Sequence, residues 1–165
     1  MLFRSRIARA HDAALAWDRG VVTVLQRHTG LPNRMLFMDR LGMAIERAHR
    51  HGNWFALVYL DADRFKLIND TWGHAAGDRL LVEVARRLGE SVRQGDTVSR
   101  LGGDEFVILL SELDNLRECE QALERISEAL RQPLHMGNGD ASACVSASIG
   151  VALYRADGID PDTLL

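Results

Sequence analysis

Trp54-Phe55-Ala56-Leu57-Val58-Tyr59-Leu60 is an unbroken apolar run, and it constrains the fold more than any other stretch of the chain. Its length suits a strand, and its lack of polar alternation means that both faces are buried. A sheet built around it needs a covering layer on each side. Helical periodicity elsewhere supplies those layers. Asn33 is placed to cap a helix running to about Arg50, with Leu36, Phe37, Leu41, Ile45 and Ala48 inward and Gly52-Asn53 at its end. A short helical piece is expected around Phe65–Asp70. A longer helix follows over 78–93, with Asp78 at its start and Leu80, Leu81, Val84, Ala85 and Leu88 facing in. A third long helix is expected over Leu116–Arg131, using Leu116, Cys119, Leu123, Ile126 and Leu130, and Pro133 stops it. Thr97–Leu101 and Glu105–Leu110 read as a hairpin through Gly102-Gly103, and a hairpin around Gly137-Asn138-Gly139 leads into a strand over Ala143–Tyr154. The whole reads as an α/β (α+β) domain, a mixed central sheet flanked by helices.

Two strand ends carry chemistry that burial does not require. The first apolar strand runs out into Asp61-Ala62-Asp63, followed by Arg64-Phe65-Lys66. The second begins at Leu101-Gly102-Gly103-Asp104-Glu105. Carboxylates at both mouths offer hard oxygen donors to one Mg²⁺ or a pair, which binds through a few carboxylates plus substrate phosphates. The glycines allow positive φ and a close backbone approach to a ligand. Each feature also has an ordinary explanation: an acidic hairpin turn for the second, and helix capping by Asp61 or Asp63 for the first.

These residues together resemble the GGDEF domain, the catalytic module of diguanylate cyclases. The resemblance runs in order through Thr29-Gly30-Leu31-Pro32-Asn33-Arg34, Asp61-Ala62-Asp63-Arg64-Phe65-Lys66-Leu67-Ile68-Asn69-Asp70, Gly73-His74 and Gly77-Asp78. It continues through Asp96-Thr97-Val98-Ser99-Arg100-Leu101 into Gly102-Gly103-Asp104-Glu105-Phe106, and ends at Ser148-Ile149-Gly150-Val151-Ala152. It implies a palm-like βααββαβ core shared with class III nucleotide cyclases. It divides the chain into a helical lead-in over residues 1–26 and a GGDEF domain over 27–165.

The activity implied is the condensation of two GTP into cyclic di-GMP with release of two pyrophosphates. By the same resemblance, Asp61 and Glu105 bind Mg²⁺ (Mn²⁺ being the alternative ion), with the Ala62 carbonyl as a further ligand. Asp104 serves as base or second-metal ligand. Lys66 and the backbone around Phe65 meet the phosphates, and Gly102 and Gly103 leave room for the nucleotide. Asn69 and Asp78 read guanine, although Asp78 by itself also suits a helix N-cap. Arg93, Asp96 and Arg100 form an inhibitory site for the product cyclic di-GMP. Two GTP molecules must face each other, so the working form is a two-fold homodimer.

The bulk properties agree with a catalytic module and exclude other classes. The 165 residues are 47% hydrophobic with a net charge of −3, ordinary for one globular domain and no footprint for nucleic acid. Cys119 and Cys144 lack zinc spacing and suit reduced, buried thiols in a cytoplasmic protein, or on the cytoplasmic face of a membrane-anchored parent. Two departures from the family pattern stand out. Gln26-Arg27-His28-Thr29-Gly30-Leu31 occupies the place of Asp-x-Leu-Thr-Gly-Leu, so Gln26 and His28 replace the usual Asp and Leu. The family also continues into a helix carrying phosphate-binding Lys and Arg, and a chain ending at Leu165 is expected to hold GTP more weakly, or to serve as a binding module without turnover. An upstream sensor and a downstream phosphodiesterase domain are the expected neighbours in a longer parent.

Overall fold

A computed structural model of the protein describes residues 25–63, 65–135, 142–143 and 147–155. The element order is α1 (Arg34–His51), β1 (Trp54–Ala62), α2 (Phe65–Trp72), α3 (His74–Ser91), β2 (Thr97–Gly102), β3 (Glu105–Leu113), α4 (Leu116–Arg131), β4 (Leu134–His135), β5 (Ser142–Ala143) and β6 (Ala147–Arg155). The main sheet has the order β2-β3-β1-β6, and β4 and β5 form a separate two-stranded ribbon. Residues 1–24 of the helical lead-in, the turn at Gly137–Gly139, Cys144 and residues 156–165 lie outside the described residues.

β1 and β3 are the two inner strands, which explains their uninterrupted apolar sequence. Ala56, Val58, Leu60 and Ala62 of β1 join Phe106, Ile108 and Leu110 of β3 in a core covered by α2, α3 and α4. Phe55, Val107 and Leu109 face the other way, against Phe37, Ala44 and Ala48 of α1. Among the described residues, one helix therefore covers one face and three cover the other. The βααββαβ order is present. All three pairings of the main sheet, β1 with β3, β1 with β6 and β2 with β3, are antiparallel, so strand direction is not mixed as expected.

The helix ends follow their local chemistry. The Asn33 side chain accepts from the Met35 and Leu36 amides at 3.0 and 3.1 Å, and Gly52 closes α1 at φ 72°. α3 begins earlier than its apolar pattern suggests. Gly73, at φ 82°, turns the chain sharply out of α2, and α3 starts at His74. Asp78 accordingly lies inside the helix, and its N-cap reading is corrected. All five expected core residues of α3 are buried. In α4, Cys119, Ile126 and Leu130 are buried as expected, with Ala122 added. Leu116, the first residue of the helix, is exposed rather than buried as expected.

α3 and α4 are locked together at their C-terminal ends. Arg87 of α3, only 12% exposed, donates to the carbonyls of Ala129, Gln132 and Pro133, which end α4. Arg125 of α4 returns the contact, donating to the Ser91 carbonyl at 3.3 Å. Last-turn carbonyls have no partner within their own helix, so each arginine satisfies groups that the other helix leaves open. Arg87→Met keeps the aliphatic stem and removes the donors. It is expected to lower unfolding stability by about 1–3 kcal/mol, read as a shifted urea midpoint at unchanged slope. An unshifted midpoint would show that the clamp is incidental.

Candidate active site

The antiparallel register of β1 and β3 decides what the two acidic strand ends can do. Asp61 pairs directly with Glu105. Residues opposite one another on a ladder carry Cβ atoms about 5 Å apart on the same face, and like charges there destabilise the sheet. The Ala62 amide also bonds the Asp104 carbonyl at 3.2 Å, tying the end of β1 to the turn before β3. The carboxylates thus meet at the C-terminal end of β1 and the N-terminal end of β3, a juxtaposition that only antiparallel pairing produces.

The hairpin beside them is built from its glycines. Gly102 pairs with Glu105, which leaves Gly103-Asp104 as a two-residue loop. Gly103 has φ 53°, the left-handed backbone that such a loop needs at its first central position. No atom lies within 4 Å of where a Cβ would sit on Gly102 or Gly103, so the space above the turn is open. Arg100 braces the turn from β2 through its Nε and Nη2, at 2.9 and 2.7 Å from the Gly103 carbonyl. Burial holds the Arg100 guanidinium below its ordinary range, while the charges of Asp78 and Asp104 pull it back up.

Among the described residues, no three His, Cys, Asp or Glu side chains gather to hold a metal by themselves. Asp104 therefore does not complete a three-carboxylate cluster with Asp61 and Glu105; it belongs to the turn, on the side that Arg100 senses. The remaining donor set, two in-register carboxylates and nearby backbone carbonyls, fits an Mg²⁺ that takes its other oxygens from phosphate and water.

The α2–α3 pair supplies a second part of the site. Asn69 leans on Gly77: a Cβ there would overlap the Asn69 Oδ1 and lie 2.9 Å from its Cγ and 3.1 Å from Phe65 Cε2. That Oδ1 is buried and has no hydrogen-bond partner among the described residues. Buried polar atoms left in this state call for an explanation, and a ligand is one. Asp78 follows Gly77 by one residue and stays 49% exposed, while Lys66 is exposed on α2.

The family model for the diguanylate cyclase GGDEF domain matches residues 24–165. The chain belongs to the GGDEF family. It is 45% identical over 130 residues to the bifunctional diguanylate cyclase/cyclic di-GMP phosphodiesterase MucR of Pseudomonas aeruginosa, covering 79% of this chain and 18% of that protein. It is 40% identical over 137 residues to the diguanylate cyclase TpbB of the same organism, covering 83% and 31%. The chain thus spans less than a third of the length of these relatives. The solved GGDEF domain of TpbB superposes with a TM-score of 0.77 at 38% identity, covering 85% of this chain and 81% of that one. The GGDEF domain of DgcB from Caulobacter crescentus, solved in complex with c-di-GMP, gives 0.75 at 27% identity, with 90% and 85% covered.

The three residues that the sequence resemblance assigns to an inhibitory site lie in two places. Arg93 and Asp96 form one turn before β2: the Asp96 carboxylate accepts from the Arg93 and Ser111 amides at 2.9 and 3.0 Å. The Arg93 guanidinium, 55% exposed, pairs with Glu118 of α4 at 3.2 Å. Arg100 is near the far end of β2, with its head on the Gly103 carbonyl, and so belongs with the glycine turn rather than with Arg93. Two contacts escaped the sequence reading. Ser148 of β6 donates to Asp63 at 2.9 Å, and Gln26 donates to the Arg100 carbonyl at 3.1 Å. Neither contact has a local signal, because each joins segments distant in sequence.

Proposed function

We propose that this chain is the catalytic module of a diguanylate cyclase, joining two GTP molecules into cyclic di-GMP. The observation that carries the proposal is the direct pairing of Asp61 with Glu105 beside the open Gly102-Gly103 turn. Two carboxylates placed face to face at a strand end present paired hard oxygen donors, which suits a bound divalent cation.

In each half-reaction the 3′-hydroxyl oxygen of one GTP attacks the α-phosphorus of the other. The bond to pyrophosphate breaks, and the hydroxyl proton passes to a base. Asp61 and Glu105, with the Ala62 carbonyl, are the residues to hold a divalent ion. Such an ion supplies Lewis-acid stabilisation of charge on the phosphoryl oxygens and leaving pyrophosphate. Asp104, beside Arg100 in the turn, is the candidate to receive the hydroxyl proton. Lys66 and the amides around Phe65 hold the phosphates, and Gly102 and Gly103 keep side chains out of the nucleotide space. Asp78 and Asn69 present acceptors to guanine N1–H and N2–H₂, groups that adenine lacks. A site built to pair such groups rejects the wrong base strongly, which favours GTP over ATP. One domain holds one GTP, so turnover needs a two-fold dimer of domains.

Product restraint at the Arg93–Asp96 turn is part of the same reading. The turn is already ordered by the Asp96 hydrogen bonds, and the exposed Arg93–Glu118 pair costs little to open. Arg93→Ala is expected to raise the cyclic di-GMP concentration for half-inhibition at least about tenfold with initial rates unchanged. Equal inhibition of both proteins would remove Arg93 from the site.

The test of the main proposal is incubation of the chain with GTP and Mg²⁺, with products separated by chromatography. Cyclic di-GMP from GTP and nothing from ATP supports it. Binding of cyclic di-GMP without turnover would instead make the chain a sensor module.

A further inference from the structure

The turn that precedes α1 is bolted to the nucleotide site. It closes on itself through Gln26 N to Leu31 O at 2.8 Å and Gly30 N to Gln26 O at 2.9 Å. Leu25 and Pro32 form an isolated antiparallel bridge at its base. Gln26 then reaches the Arg100 carbonyl at 3.1 Å, and the Arg100 amide reaches the Pro32 carbonyl at 3.1 Å. Arg100 is the residue whose side chain braces Gly103. Held in this way, the turn carries His28 across to α3, where its Nδ1 lies 3.9 Å from Asp78 Oδ2.

We propose that His28 is a positioning residue for the guanine site, its protonated form competing with the base for the Asp78 carboxylate. The inference rests on the reading of Asp78 as a guanine acceptor. Guanine N1–H and N2–H₂ are neutral donors that need the carboxylate turned toward them. An imidazolium at Nδ1 is a charged donor on the same group, and it draws Asp78 toward the turn. Neutral imidazole has no such hold. Both side chains remain about half exposed, at 57% and 49%, so water reaches the pair and the competition is modest. The other charged or titratable groups here are Arg100 of β2, which senses Asp78, Asp104, which faces Arg100 in turn, and His74, one helical turn before Asp78 on α3. Histidines change charge over about pH 5 to 8, and His74 is common to the unaltered protein and to both His28 variants, so its contribution cancels when they are compared. Nucleotide affinity therefore falls as pH drops through that range, and by linkage a bound nucleotide makes His28 harder to protonate.

The test uses 3′-deoxy-GTP with Mg²⁺, which lacks the attacking hydroxyl and binds without reacting. Its affinity is measured calorimetrically from about pH 8.5 to about pH 5.5 for the unaltered protein, His28→Leu and His28→Gln. The phosphates titrate identically in all three and cancel in the comparison. On the acid side the unaltered protein is expected to lose about threefold to fivefold more affinity than either variant, with the curves meeting above about pH 8. Parallel curves overturn the role of His28. Asp78→Asn separates this from the underlying reading. Full affinity in that variant overturns Asp78 as the guanine acceptor, and no binding by the unaltered protein at any pH overturns both.

Discussion

Glu105→Gln is expected to lower the proposed cyclic di-GMP formation by about three orders of magnitude or more, with the fold intact. Gln matches Glu in size and β propensity, so β3 keeps its place beside β1. Asp61 and Glu105 face one another on the ladder, and the neutral isostere keeps that register, so the apparent melting temperature should stay close to that of the unaltered protein. Loss of activity with retained stability is the signature of a residue kept for chemistry. The measurement is a rate assay on GTP at saturating Mg²⁺, paired with thermal unfolding in EDTA. Asp61→Asn should behave alike, since it occupies the facing position on β1. Rates within tenfold of the unaltered protein would show that the pairing does not serve catalysis.

Gly77→Ala carries the second large effect, and it acts through packing. Gly77 is buried in α3 against α2, where a Cβ would occupy the place of the Asn69 amide and crowd Phe65. Alanine is otherwise the better helix residue by about 1 kcal/mol, so any net loss measures the clash. Asn69 must rotate away or α2 must shift, and overpacking of this kind costs about 1–3 kcal/mol. Nucleotide affinity falls further, because the displaced amide is the one proposed to meet guanine. A double mutant separates the two effects. Asn69→Ala in the Gly77→Ala background removes the overlap and should restore much of the stability, while GTP binding stays weak. Recovery of both would mean that Asn69 only packs; recovery of neither would place the strain at Phe65.

Local sequence made much of this protein legible. Asn33, Gly52 and Pro133 mark helix ends because their chemistry acts on neighbours within a turn. The apolar runs of β1 and β3 announce inner strands because burial on both faces leaves no polar positions. The same locality explains the misses. Leu116 fits an apolar stripe that periodicity cannot end, yet at the first position of α4 it is exposed. Asp78 looks like a cap because the apolar pattern begins after it, whereas Gly73 starts the helix earlier through backbone conformation alone.

Sequence alone determined the elements, their order, the family resemblance and the identity of the acidic groups, all properties of residues near one another in the chain. Tertiary structure alone decided that Asp61 faces Glu105, that Arg100 braces the glycine turn apart from Arg93, and that His28 reaches Asp78. Each depends on which distant strands pair and in what register. A slip of one residue would turn every side chain of a strand to the opposite face. That choice is made by the packing of the whole core, not by any segment on its own.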